Sequence, residues 1–320
     1  MNSPNVLVTG ASGFVGEGVV MRLLLDRKFT PIAAVRRASR LSGLCRVLNC
    51  PLGGHSQLPA LDGIQVVIHC AARVHVMNEV AQDALAEFRK VNVEGTVALA
   101  LKAAAAGVKR FIFISSIKVN GERTVSGAPF KYDDAPAPHD PYAHSKHEAE
   151  QRLREISLDT GMELVIIRPP LVYGPGVKAN FLSMMSWLDK GFPLPLGGVD
   201  NSRSLVSLGN LVDLIVHCVD HPAAPGNTFL VSDGVTISTT QLLKVIKKSL
   251  NRPTLLIPVP IWMLKGSLIL LGKNLIAQRL FDSLEVDIAR TRSVLGWSPP
   301  VSVDRAILQT VRHYLDAQIK

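Results

Sequence analysis

Short apolar runs rich in β-formers alternate with longer stretches of helical period through the first half of the chain. The apolar runs are Asn5–Thr9, Pro31–Val35, Gln65–Cys70, Phe111–Ser115 and Leu164–Arg168. Helical stretches lie between them, including Phe14–Asp26, Ala84–Ala106 and Pro141–Thr160. Apolar runs without polar alternation predict strands buried on both faces, separated by helices that cover a parallel sheet. The expected class is therefore α/β, with a doubly wound parallel sheet.

After Arg168 the regularity fades. Pro169, Pro170, Gly174, Pro175 and Gly176, then Pro193, Pro195, Gly197 and Gly198, read as loops carrying short elements. Such a segment suits a smaller lobe over the carboxyl ends of the strands, where ligands bind in open sheets. The expected division is residues 1–168 for the sheet domain and 169–320 mainly for a substrate lobe. A strand signal at Thr228–Val231 and a helix signal at Thr239–Leu250 predict that some later segments return to the first domain.

Composition narrows the classes. The formal charge is +9, which suits a nucleic acid, an acidic membrane surface or an anionic small substrate. No run of five or more basic residues occurs, so a nucleic-acid partner is not expected. Cys45, Cys50, Cys70 and Cys218 form no CxxC pair and no metal spacing. They read as reduced thiols of a cytoplasmic protein, and no metal is expected. No signal-peptide pattern precedes the first strand. The apolar stretch Leu255–Ile276 is long enough to span a bilayer, but Pro258, Pro260, Lys265 and Lys273 interrupt it. A buried or dimer-facing helix is expected there, with a helix lying on a membrane surface as the alternative.

Three motifs carry chemistry. Gly10-Ala-Ser12-Gly13-Phe14-Val15-Gly16 lies between the first strand and the first helix. Glycines there allow a tight turn and close approach of backbone to a pyrophosphate, and the helix N-terminus adds N–H donors and its dipole. Tyr142 and Lys146, four residues apart on a helix, share one face. A lysine ammonium beside the phenol would favour the phenolate and lower the tyrosine pKa from its ordinary value of about 10. Ser116, in the Ser115-Ser116 pair at a strand end, can hydrogen-bond the same substrate oxygen as the tyrosine.

With these motifs the chain resembles the extended short-chain dehydrogenase/reductase family, which includes the NAD-dependent epimerases and dehydratases of nucleotide sugars. The likeness runs from GASGFVG through His69-Cys-Ala-Ala72, VNVEGT around Asn92, YAHSK, RPPLVYGPG and NSRSLVSLGNLVD to LGWSPP. It implies a Rossmann domain in which Gly10, Ser12, Gly13, Phe14, Val15 and Gly16 hold the dinucleotide pyrophosphate. It also implies that Ala71, Ala72, Asn92 and Pro169 line the cofactor and that Lys146 binds the nicotinamide ribose. Asn180 and Arg203 would bind the diphosphate of a UDP-sugar, and Ser116 and Tyr142 would act on the sugar oxygen. Relatives often dimerise through the helices around Ala84–Ala106 and Pro141–Thr160, so a homodimer is expected.

Three departures refine the reading. Arg36 and Arg37 stand where NAD-binding relatives place an acidic residue for the ribose 2′-OH. A guanidinium pair would grip a 2′-phosphate, which points to NADP(H), with NAD(H) the alternative. The acidic residue expected near adenine is missing, and Pro51-Leu52 stands nearby. Lys118 and Asn120 replace a small hydroxyl residue and a tyrosine, so Lys118 either touches substrate or points to solvent. The arginines suit a reductase that exchanges NADPH at each turnover, and SSIKVNGE and the run Arg73–Met77 are similar to those of bacterial UDP-4-keto-6-deoxy-N-acetylhexosamine 4-reductases. The leading expectation is thus NADPH-dependent reduction of a C4 ketone, giving a precursor such as UDP-N-acetylquinovosamine for surface polysaccharide. The alternative is a UDP-sugar 4-epimerase with tightly bound NAD. A non-catalytic dinucleotide-binding regulator would need no Ser116, Tyr142 and Lys146 together.

Overall fold

The computed structural model describes residues 3–37, 39–53, 57–74, 83–272 and 274–319. His75–Met77 of the Arg73–Met77 run and Lys273 lie outside them. The main sheet contains β1 (Asn5–Thr9), β2 (Thr30–Val35), β3 (Arg46–Asn49), β4 (Val66–His69), β5 (Arg110–Ile114) and β6 (Glu163–Arg168). Two short strands, β7 (Leu171–Tyr173) and β8 (Arg203–Ser207), precede its seventh member, β9 (Thr228–Leu230), and β10 (Thr236–Ile237) follows. The main sheet runs β3-β2-β1-β4-β5-β6-β9, parallel throughout. Strand order reverses between β1 and β4, where such sheets open a ligand crevice at their carboxyl ends. β10, β8 and β7 form a second, three-stranded sheet.

The helices are α1 (Phe14–Asp26), α2 (Ala84–Arg89), α3 (Gly95–Ala105), α4 (Pro141–Thr160), α5 (Ala179–Asp189) and α6 (Leu208–His217). They continue with α7 (Thr239–Leu250), α8 (Ile261–Leu270), α9 (Asn274–Phe281), α10 (Ala289–Leu295) and α11 (Val303–Gln318).

Alternate strand residues face opposite sides of a sheet, and here both sides are apolar. Val6, Val8, Ile68, Ile112, Val165 and Ile167 pack with α1 and α6. Leu7, Val67, Phe111, Phe113, Leu164 and Ile166 pack with α3 and α4. A third core joins Tyr173 and Leu205 of the small sheet to α5, α7 and α11. The later chain thus contributes β9 and α6 to the main sheet and builds its own lobe beside it.

Two expectations about elements change. The stretch Ala84–Ala106 is not one regular helix: Lys90–Glu94 forms a π-turn between α2 and α3. The apolar stretch after Leu255 is not a buried helix, since no residue of α8 is buried. Among the described residues no helix is long and apolar enough to cross a membrane.

Candidate active site

The carboxyl ends of β1, β4, β5 and β6 bring the sequence motifs to one edge of the sheet. Gly10 adopts φ +63°, and a Cβ there would lie 2.8 Å from the Ala71 backbone. A Cβ on Gly16 would lie 2.3 Å from the Gly10 carbonyl oxygen. Gly10 is therefore required by close packing of the β1–α1 turn on the residues after β4, and Gly16 by close packing of α1 on the turn itself. Gly13 is the N-cap of α1, and no side chain caps that helix end. Ser12 and Gly13 are exposed, and Phe14 and Val15 are half-buried. An uncapped N-terminus of a long helix behind a glycine turn is fitted to a dinucleotide pyrophosphate.

Ala71 and Ala72 are half-buried beside this turn. Asn92 holds their loop from behind. Its side chain accepts from the Arg73 N–H at 2.7 Å and donates to the Arg73 carbonyl at 3.0 Å and to Ser145 Oγ at 3.0 Å. Asn92 sits in the π-turn, where the extra residue directs it inward. Buried and bonded to these partners, it holds the Ala71–Arg73 loop against α4. Pro169 follows β6, and its carbonyl accepts from the Ile117 N–H at 3.0 Å, tying the β5 and β6 ends together.

The two serines after β5 separate cleanly. Ser115 donates its hydroxyl to Glu150 Oε1 at 2.5 Å. Glu150 in turn receives both Nε (2.9 Å) and Nη2 (2.5 Å) of Arg168, while Arg168 Nη1 reaches Asn120 Oδ1 at 2.9 Å. This buried network locks α4 to β5 and β6. Ser116 Oγ accepts from the Lys118 N–H at 3.2 Å, which leaves its own proton for another acceptor. The Ser115 hydroxyl is thus spent on Glu150, whereas that of Ser116 stays available to donate.

Tyr142 lies in the first turn of α4, with its ring edge-on to Phe88 at 6.1 Å between centroids. Lys146, one turn on, is buried, donates to the Ile114 carbonyl at 2.8 Å and lies 4.4 Å from the Phe113 ring centroid. Burial lowers its ammonium to about 8. The expected depression of the tyrosine by this lysine is not seen. Burial, and then the Asp140 charge, push the Tyr142 phenol above its usual range. Burial also holds His69, below the site, neutral at about 3, with Thr9 at 2.7 Å and Thr96 at 2.9 Å as its partners.

Lys118 does not simply point to solvent. Its ammonium pairs with Asp140 and lies 3.5 Å from Glu122. Asp140 is also the N-cap of α4, accepting from the Ala143 N–H at 2.7 Å. Lys118 is thus a clamp on the start of the Tyr142 helix, since its charge is already matched within the chain.

Arg36 and Arg37 are both exposed immediately beyond β2, next to the glycine turn, where the Ala11 N–H meets the Ala34 carbonyl at 3.4 Å. Asn180 is exposed in the first turn of α5, whose N-terminus has no side-chain cap. Arg203 opens β8, and its Nη1 donates to the Asp282 carbonyl at 3.0 Å. Sequence reasoning missed the buried link between the lobes. Tyr173 donates to Asp233 Oδ2 at 2.7 Å, and Asp233 Oδ1 accepts from the Ser207 N–H at 2.8 Å and Asn210 Nδ2 at 2.6 Å. The GNL sequence after Ser207 held the signal: a polar Asn210 on an otherwise apolar helix face.

Residues 6–232 match the model of the NAD dependent epimerase/dehydratase family. The chain belongs to that family. Among its relatives, the UDP-glucose 4-epimerase of Vibrio cholerae is 48% identical over 98% of this chain and 96% of its own length. The N-acetyl-alpha-D-glucosaminyl-diphospho-ditrans,octacis-undecaprenol 4-epimerase of Escherichia coli O157:H7 is 29% identical over 82% of this chain and 78% of its own. The crystal structure of UDP-glucuronic acid 4-epimerase from Bacillus cereus in complex with NAD superimposes with a TM-score of 0.77. It covers 98% of this chain and 99% of that one, at 16% identity, a likeness of fold.

Proposed function

We propose that this family member interconverts the C4 epimers of a UDP-hexose or UDP-N-acetylhexosamine through a transient 4-keto sugar. The observation that carries the reading is the near full-length 48% identity to a UDP-glucose 4-epimerase, on a chain that places Ser116, Tyr142 and Lys146 at the crevice edge. This ranks the epimerase above the C4 reductase that the motifs first suggest. Residues 1–168 serve the dinucleotide and 169–320 mainly the sugar nucleotide.

A bound nicotinamide dinucleotide supplies hydride acceptance and return at C4. Tyr142 takes the proton from the sugar O4 hydroxyl during oxidation and gives it back on reduction. Ser116 donates a hydrogen bond to the same oxygen as its charge changes. Lys146 presents its ammonium to the ribose hydroxyls. Asn180 and Arg203 hold the diphosphate, and the uncapped start of α5 favours an anion there. The site serves in the cytoplasm, in a homodimer built on α3 and α4.

The exposed Arg36-Arg37 pair favours a second reading, NADPH-dependent reduction of a UDP-4-keto-6-deoxy-N-acetylhexosamine. Two measurements separate them. Cofactor released by denaturing the purified protein should be NAD, and turnover of a UDP-sugar should need no added reductant. Retention of no cofactor, with NADPH consumed in proportion to a 4-keto sugar, makes the reductase correct. In that case Arg36→Asp with Arg37→Asn should remove an NADPH preference of about 10- to 100-fold, the loss of one or two charged hydrogen bonds.

A further inference from the structure

α8 is apolar apart from Lys265 and Ser267, yet none of its residues is buried. One face, Ile261, Leu264 and Leu268, packs on Ala277 and Phe281 of α9. Lys265, beside that face, bonds Asp282 at 2.9 Å. The opposite face consists of Trp262, Met263, Gly266, Ile269 and Leu270, which the 100° step of the helix brings together. Trp262 is 75% exposed and Leu270 88%. A water-facing helix side with no polar residue reverses the usual amphipathic arrangement.

The patch continues beyond the helix. The segment leading into α8 runs beside Leu194, with the Ile257 N–H donating to the Leu194 carbonyl at 2.8 Å. Leu255 and Ile257 are exposed there, and so is Phe192, whose ring meets that of the exposed Trp187 at 6.5 Å. Apolar surface of this extent marks a docking site.

Charge identifies what docks. Residues 234–281 contain Lys244, Lys247, Lys248, Arg252, Lys265, Lys273 and Arg279 and no Asp or Glu. The exposed Lys244 and Lys248 lie on α7, whose end runs directly into the segment before α8. Apolar residues with Trp at the surface, near the exposed cations Lys244 and Lys248, suit the boundary of an anionic bilayer. In a twofold dimer through this face, each cationic flank would oppose the other copy's. α8 is too short to span and suits a position in the plane of the membrane.

We propose that the α8 face docks the protein peripherally on an anionic lipid bilayer. This is independent of which sugar reaction the site performs. The test is flotation of the full-length protein with vesicles of phosphatidylglycerol and phosphatidylcholine, or of phosphatidylcholine alone, with tryptophan emission read in parallel. The expected result is binding about tenfold stronger to the anionic vesicles, weakened by salt, with a blue shift of emission. Trp262→Ser with Leu270→Ser should lower that binding by at least about tenfold, because both side chains are exposed and their apolar area drives insertion. Lys244→Gln with Lys248→Gln should weaken it while leaving melting temperature and turnover unchanged. Absence of flotation overturns the proposal, as does binding untouched by the serine variant. Conversion of a dimer to a monomer by that variant, read by light scattering, also overturns it and makes α8 a contact between copies.

Discussion

Tyr142 carries the proton in this account, and its neighbours set the pH at which it works. Tyr142→Phe keeps the ring against Phe88 and removes only the hydroxyl. Turnover should fall by about 10²- to 10⁴-fold with cofactor affinity retained; a loss below threefold removes the tyrosine from the chemistry. Asp140 makes a sharper case. Its carboxylate disfavours the phenolate, so neutralising it lowers the tyrosine pKa and moves the rising limb of the pH profile to lower pH. Asn keeps the N-cap that Asp140 provides. Asp140→Asn should therefore shift the limb by on the order of half to one pH unit, as expected for loss of one nearby like charge. An unmoved limb with a lower plateau would leave Asp140 only a structural part. At this scale, residue types and spacing brought Gly10, the Ser115-Ser116 pair, Tyr142 and Lys146 forward as candidates. Partners were not: that Lys118 meets Asp140, or that Glu150 claims Ser115, depends on contacts between separate elements.

At the scale of elements, the strongest joint is Glu150 on α4 with Arg168 at the end of β6, both nearly inaccessible and bonded through two nitrogens. Arg168→Met leaves a buried carboxylate facing Ser115 alone. It should cost about 3–5 kcal/mol in urea unfolding, and adding Glu150→Gln should restore part of that loss. Equal stability of the single and double variants would show that the unpaired carboxylate is not what costs the stability. The strands of the main sheet that are continuously apolar, such as Phe111–Ile114 and Leu164–Ile167, declare themselves in sequence. β3, with Arg46 and Asn49 at its ends, and β10, two residues long, do not, because short polar-ended strands look like loops until a neighbour pairs with them. The π-turn at Lys90–Glu94 is hidden for a different reason. Its residues keep helical character, and only the inward turn of Asn92 toward Arg73 and Ser145 distinguishes it.

For the whole molecule, two opposing requirements meet in the chain after Arg168. It returns β9 and α6 to the main sheet, and it also builds the second lobe, joined to the sheet through Tyr173, Asp233 and Asn210. Proline and glycine between Pro169 and Gly198 mark the change of architecture in sequence. The exposure of α8 is not marked, because an apolar helix reads the same whether a core, a second copy or a lipid surface covers it. The direct measurement of the reaction is proton NMR of the anomeric signals when purified protein is given UDP-glucose, UDP-galactose or their N-acetylamino counterparts separately, without added cofactor. One pair should converge to the same mixture from either epimer, with no net change in nicotinamide oxidation state. No conversion of any epimer, beside stoichiometric NADPH oxidation with a UDP-4-keto-6-deoxy-N-acetylhexosamine, would contradict the proposed epimerisation.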